Sequence, residues 1–238
     1  MASSIGPDII ESGLVLHLDA ANPRSYPGTG TGWFDISGRS NNATMFGSVP
    51  YTIDTVSCFD FSTGTGDFSY TSSLGFTFLT DMVPRSGNFT FSCWVKNPNP
   101  TPSAVGLFSN TGYIDGYRFG VHQSGAYYLI SGANFANYTE GGINFLASLS
   151  TDSWHNIVMV FNRNGLKMNL YRNGVFQGDA NLPAIQDTMS GNNIPGIVRS
   201  GCCSRYTGKL ASFSVYNYGL NVSEIQQNFV ALRGRFGV

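Results

Sequence analysis

Strand-forming runs separated by Asn-Gly pairs dominate the middle of the chain, WHNIVMVFNRNGLKMNLYRNGVFQG from Trp154 to Gly178. Asn164-Gly165 and Asn173-Gly174 each supply two residues that tolerate positive φ, which two-residue hairpin turns require, so the pattern predicts a three-stranded antiparallel meander. Ile157, Val158, Met159, Val160 and Phe161 are apolar without alternation, which predicts a strand covered on both faces and hence a sandwich. Elsewhere the alternation is clean. In FTFSCWVK, Phe89, Phe91, Cys93 and Val95 share one face, and Thr90, Ser92, Trp94 and Lys96 the other. Cys58 to Tyr70 places Phe59 and Phe61 opposite Cys58 and Asp60, then runs through a Gly-rich turn into a second short strand. Further strands are predicted at Leu14 to Leu18, Val105 to Phe108, Tyr117 to Val121, Ala126 to Ile130 and Leu210 to Tyr216, with loops between them.

Pro23 to Asn42 is dense in Gly, Pro, Ser and Asn, the composition of an ordered loop, which Trp33 and Phe34 are expected to pin. Near the end of the chain the pattern changes to a helical period. Asn221 can cap with Glu224 three residues on. Val222, Ile225, Phe229 and Leu232 form one stripe, and Gly234 stops the element, which predicts a helix over 222–233 docked on the sandwich. The strand patterns are spread evenly without a linker between two cores, so 13–238 reads as a single domain preceded by a polar arm at 1–12.

Composition narrows the function. Charged residues make up only 11% of 238, against a usual share of about 25%, and the net charge is -1. The few Lys and Arg are scattered, so the electrostatic footprint of nucleic-acid binding is missing. Aromatics at 14% and hydrophobics at 42% exclude disorder. No basic-then-apolar leader and no stretch of about eighteen apolar residues is present, so a soluble protein made in a cytoplasm is expected. Cys58, Cys93, Cys202 and Cys203 lack ligand spacing and read as buried thiols rather than bridges.

Catalytic constellations are absent from the sequence. A glycosidase needs two carboxylates a short distance apart, whereas Glu11, Glu140 and Glu224 fall in the arm, a Gly-rich loop and a helix cap. His17, His122 and His155 take part in no metal-ligand spacing, and neither a nucleophile elbow nor a phosphate loop occurs. The chain is therefore expected not to be an enzyme.

The stretches WHNIVMVF with LYRNGV, GLVLHLDAANPRSYPG with WFDISGRSNNAT, YTGKLASFSVYNYGL and SEIQQNFVALRGRFG together resemble laminin-G-like domains. The resemblance is to those found in virion proteins of tailed bacteriophages and spans Gly13 to Gly237. It implies an all-β, two-sheet antiparallel concanavalin A-like jelly roll with a short C-terminal helix. It also implies a non-enzymatic virion structural protein: a capsid decoration or a head or tail surface subunit, assembled in the host cytoplasm and contacting copies of itself and other virion proteins. The alternative is a lectin-like adhesion module for host-surface glycans. Many laminin-G-like domains hold Ca²⁺ at one rim, for which Asp67 and Asp115 are the candidates here, although this chain has Ser212 where many relatives have an acidic residue. No cofactor is required by either role. For a glycan, Tyr113, Tyr117, Tyr127 and Tyr128 lie near loops and offer aromatic faces with polar tips.

Overall fold

A computed structural model describes residues 8–62, 75–78, 87–98, 105–109, 116–131, 138–182, 196–198 and 204–238. Its strands, numbered in chain order, begin with β1 (Leu14–Asp19), β2 (Gly32–Trp33), β3 (Ala43–Phe46), β4 (Tyr51–Asp54), β5 (Val56–Asp60) and β6 (Gly75–Phe78). There follow β7 (Phe89–Lys96), β8 (Val105–Gly106), β9 (Phe108–Ser109), β10 (Gly116–His122), β11 (Gly125–Ser131) and β12 (Tyr138–Asn144). The last are β13 (His155–Asn162), β14 (Lys167–Arg172), β15 (Val175–Asn181), β16 (Gly196–Ile197), β17 (Ser204–Arg205) and β18 (Lys209–Tyr216), before the helix α1 (Val222–Phe236).

Two antiparallel sheets form a sandwich. The first has the order β15-β14-β13-β7-β18-β5-β4, with β1 also on β18, and the second β12-β11-β10-β9-β16-β6-β3-β2. Aromatic rings fill the space between them. Phe91 of the first sheet stacks on Phe119 of the second at 4.1 Å, and Phe213 of the first on Phe108 of the second at 5.2 Å. The alternation read in β7 is realised: Phe89, Phe91, Cys93 and Val95 lie in this inner core, while Trp94 belongs to a separate cluster on the outer face. The unbroken apolar run of β13 has the same cause. Ile157, Met159 and Phe161 face the core, and Val158 and Val160 face outward under a second apolar layer containing Leu220 and Ile225.

That outer layer is the helix. Asn221 and Glu224 close a capping box, with the Asn221 side chain accepting from Glu224 N and the Glu224 carboxylate accepting from Asn221 N. The element does not stop at Gly234 but continues to Phe236, and Gly237 at φ 72° closes it with its N–H on Arg233 O. Gly237 alone meets the left-handed requirement of the cap, whereas Gly234 keeps helical geometry with open space around it. The extra turn matters. It brings Phe236 face to face with Trp94 at 3.8 Å and 4°. It also brings Arg235 Nη1 to the buried Asp19 Oδ2 at 2.5 Å. Gly234→Ala is expected to stabilise the protein by about 0.5–1 kcal/mol and Gly237→Ala to destabilise it by about 1 kcal/mol. Melting temperatures moving in opposite directions check the assignment.

Other differences are local. The turn Asn173-Gly174 is the expected two-residue one, with both residues at positive φ (50° and 76°) between the paired Arg172 and Val175. Asn164-Gly165 is not. Asn162 pairs with Lys167 across a four-residue turn in which Leu166 carries the positive φ (52°), and Asn162 Oδ1 accepts from Gly165 N at 2.8 Å. The asparagine side chain has replaced the two-residue solution. β12 falls where a loop was expected, since YTEGGIN shows no apolar alternation and becomes a strand through its seven-residue register with β11. The described part of the expected arm is not free either. Ile9 and Ile10 pack on the outer apolar layer, Ile10 N donates to Asn228 Oδ1 at 2.7 Å, and Gln227 Nε2 donates to Asp8 O at 2.8 Å. Cys58 and Cys93 are buried free thiols. Burial pushes Cys58 up to about 12 and Cys93 higher still.

Candidate functional site

Among the described residues β1 pairs with β18 alone, and its other edge is met by loop. Ile36 N donates to His17 O at 2.9 Å, His17 N to Asp35 Oδ1 at 2.9 Å, Asn41 Nδ2 to Val15 O at 2.7 Å, and Asp19 N to Ser25 Oγ at 3.0 Å. The segment 25–42 thus covers a strand edge that would otherwise stay open. Asp35 is its hub: besides His17 N, its carboxylate accepts from Ser37 N and Asn41 N, each at 2.9 Å, and from Ser37 Oγ at 2.8 Å. Trp33 anchors the loop in the core at 4.7 Å from Phe59. Phe34, expected to share that task, is 44% exposed, because its backbone N–H donates to Ser25 O and its carbonyl accepts from Ser25 Oγ, which turns the ring outward.

Between this braced loop and the docked segment before β1 lies a cleft of about 510 Å³, lined by Ile9, Glu11, Leu14, His17, Ile36, Ser37, Gly38 and Arg39. Ile9, Leu14 and Ile36 make its walls apolar, while Glu11 and Arg39 stand exposed within the lining. His17 belongs to the floor. Its Nδ1 is bonded to Ser214 Oγ at 2.8 Å, which fixes the ring beneath the cleft that the residue helps to line. Burial holds its pKa below the usual value, against the opposing pull of Asp19 and Asp35.

The other histidines are structural. His122 Nδ1 accepts from Ser124 N at 3.2 Å, and His155 Nε2 lies 3.2 Å from Ser150 O while its Nδ1 is buried without a partner. Burial lowers the pKa of both below 6.5. All three histidines therefore carry the same sign. As the pH falls through about 6.5 the unfolded chain takes up protons that the folded chain refuses until lower pH, so stability is expected to fall steadily between about pH 7 and pH 5. Melting curves across that range check this, and an unchanged midpoint would contradict it.

The residues proposed from sequence scatter. Asp67, Tyr113 and Asp115 lie outside the described residues. Tyr117 stands in β10 and Tyr127 in β11, and their side chains are also outside the described set. Tyr128, expected near a ligand, is instead a core residue: it is 2% exposed, with its hydroxyl donating to Asn181 O at 2.9 Å and its ring edge-on to Phe161. Among the described residues no group of three His, Cys, Asp or Glu is placed to hold a metal ion. Ser212 sits opposite Asp19 in the register of β18 and β1, and the Asp19 carboxylate is taken by Arg235. Glu224 is spent on the helix cap and on the Tyr218 hydroxyl at 2.9 Å. Among the described residues no helix is long and apolar enough to cross a membrane. Sequence reasoning missed the cleft because its lining comes from two separated segments, brought together by the hydrogen bonds of Asp35, Ile36 and Asn41 to β1.

A family model described as the concanavalin A-like lectin/glucanases superfamily, Laminin_G_3, matches residues 64–226. No curated protein matches the chain. Among solved structures, the binding domain of Paraclostridial Mosquitocidal Protein 1 is similar, with a TM-score of 0.67 at 14% identity over 92% of this chain and 52% of that one. The binding domain of botulinum neurotoxin DC, solved in complex with SialylT, gives a TM-score of 0.66 at 13% identity over 94% of this chain and 52% of the other. That of botulinum neurotoxin serotype G gives 0.64 at 16% identity over 91% and 50%. The chain spans about half the length of these structures, and at such identities the likeness is one of fold.

Proposed function

Because the chain belongs to the Laminin_G_3 family of the concanavalin A-like lectin/glucanases superfamily, we propose that it is a non-enzymatic binding domain serving as a surface structural protein of a tailed-bacteriophage particle. In this reading it is a capsid decoration or a head or tail surface subunit, present in many copies, contacting itself and other virion proteins after assembly in the host cytoplasm. One observation carries the non-catalytic part. Described side chains with acid-base potential are largely committed to the fold: Glu224 to the helix cap, His17 to Ser214, His155 to Ser150, and Asp54 to Lys96 and Lys209. The N-terminal stretch that most resembles virion proteins is likewise spent on closing the edge of β1. Neutral polar groups on a surface with few charges suit repeated, close subunit contacts, and many copies compensate for weak single ones.

An adhesive role is the second reading, and the fold neighbours favour it. One of them was solved with SialylT, and for another, botulinum neurotoxin type C, cell entry is dependent upon interaction with two ganglioside molecules. No cofactor is part of either role, and Asp67 and Asp115 are the positions to substitute should calcium raise the melting temperature. Antibodies against the purified chain, applied to intact particles and viewed by electron microscopy, are expected to decorate the head or tail in a regular pattern. Unlabelled particles, together with glycan hydrolysis by the purified chain, would overturn the proposal.

A further inference from the structure

The cleft beside β1 has the size and chemistry of a ligand site that the fold itself does not use. Its volume of about 510 Å³ falls within the range of small-molecule pockets, roughly 300–1,000 Å³, and suits one or two sugar rings. Neither the Glu11 carboxylate nor the Arg39 guanidinium has a partner among the described residues, although both line the cleft. His17, only 7% exposed and bonded through Nδ1 to Ser214, forms part of the same lining. The walls of Ile9, Leu14 and Ile36 are aliphatic.

We propose that this cleft binds a carboxylate-bearing sugar, with Arg39 taking the carboxylate, Glu11 taking hydroxyls, and the aliphatic walls packing on the C–H face of the ring. Charge decides the class. Arg39 offers a planar fork that matches a carboxylate in two parallel hydrogen bonds. It is the single cation among the described residues lining the cleft, a charge that a monoanion matches one for one and a doubly charged phosphate would exceed beside the Glu11 carboxylate. A neutral hydrocarbon would leave the two charges without partners. A monoanion rich in hydroxyls satisfies both. The floor is fixed in place: His17 is held by Ser214 and by the backbone bonds to Asp35 and Ile36, and Ser37 by Asp35, so binding costs little ordering. The inference deepens the adhesive reading and rests on it.

Sialyllactose, a glucuronate-terminated disaccharide and lactose are to be titrated into the full chain by calorimetry, alongside Arg39→Ala and Glu11→Gln, whose exposed side chains spare the fold. One or both acidic sugars are expected to bind, lactose at least about tenfold more weakly, and Arg39→Ala to weaken the acidic sugar by about tenfold or more, as the loss of a charged hydrogen-bond pair implies. Comparison of the two acidic arms tells a sialic from a uronic ligand. Acidic sugars that bind equally well to both variants would place the site elsewhere, overturning this inference while sparing the adhesive reading. Binding of lactose as tight as that of the acids would overturn the ligand class. Failure of all three sugars to bind up to about 10 mM, where even contacts worth about 3 kcal/mol would register, would overturn both.

Discussion

Phe236→Ala is expected to lower the unfolding free energy by about 3–4 kcal/mol, the usual cost of emptying a buried phenylalanine site. Phe236 is 2% exposed although it lies close to the end of the chain, stacked on Trp94 at 3.8 Å and tilted against Trp154 at 5.4 Å. Its removal leaves Trp94, Cys58 and Ala211 facing a void on the outer face of the first sheet. It also loosens the last helical turn, from which Arg235 reaches Asp19, a carboxylate whose side chain is 5% exposed. Urea unfolding of this variant beside Val222→Ala, at a helix position that is 51% exposed, separates packing from helix propensity. A loss below about 1 kcal/mol would mean that the helix end frays and does not hold the sheet.

The second large effect is expected at Asp35. Asp35→Ala removes an acceptor of four hydrogen bonds, from His17 N, Ser37 N, Ser37 Oγ and Asn41 N, and is expected to cost about 2–3 kcal/mol, less than the sum because the site is only half-buried and water can enter. Asp35→Asn keeps one acceptor oxygen and is expected to cost about half as much. The consequence is larger than the stability change alone, since the same bonds hold Ile36 to Arg39 against β1 and so shape the cleft. Amide exchange is expected to accelerate at His17 and Asn41 in both variants. If exchange there is unchanged in Asp35→Ala, the loop is held by Trp33 and by the bonds of Ile36, Asn41 and Ser25 to β1 without need of the carboxylate.

Much of this architecture is written locally. Period-two alternation places Phe89 to Val95 and Phe59 with Phe61 in the core, because a strand has only two faces and a one-residue slip would invert both. The Asn221 and Glu224 capping box and the Asn173-Gly174 turn are likewise legible, since their chemistry is complete within four residues. The sequence also determined that β13 is covered on both sides. What covers its outer face was decided by tertiary structure: the helix runs past Gly234 because Phe236 finds Trp94 and Arg235 finds Asp19, partners far away in sequence. β12 became a strand because β11 offered it an edge, against its own polar, glycine-containing composition. Tyr128 looked like a surface tyrosine in sequence and is a core residue because its hydroxyl meets Asn181 O across the sandwich. The cleft belongs to the same class. No one segment contains it, since Arg39 joins Glu11 and His17 when Asp35, Ile36 and Asn41 tie the loop to the edge of β1, and hydrogen bonds between such separated groups leave no periodicity to read.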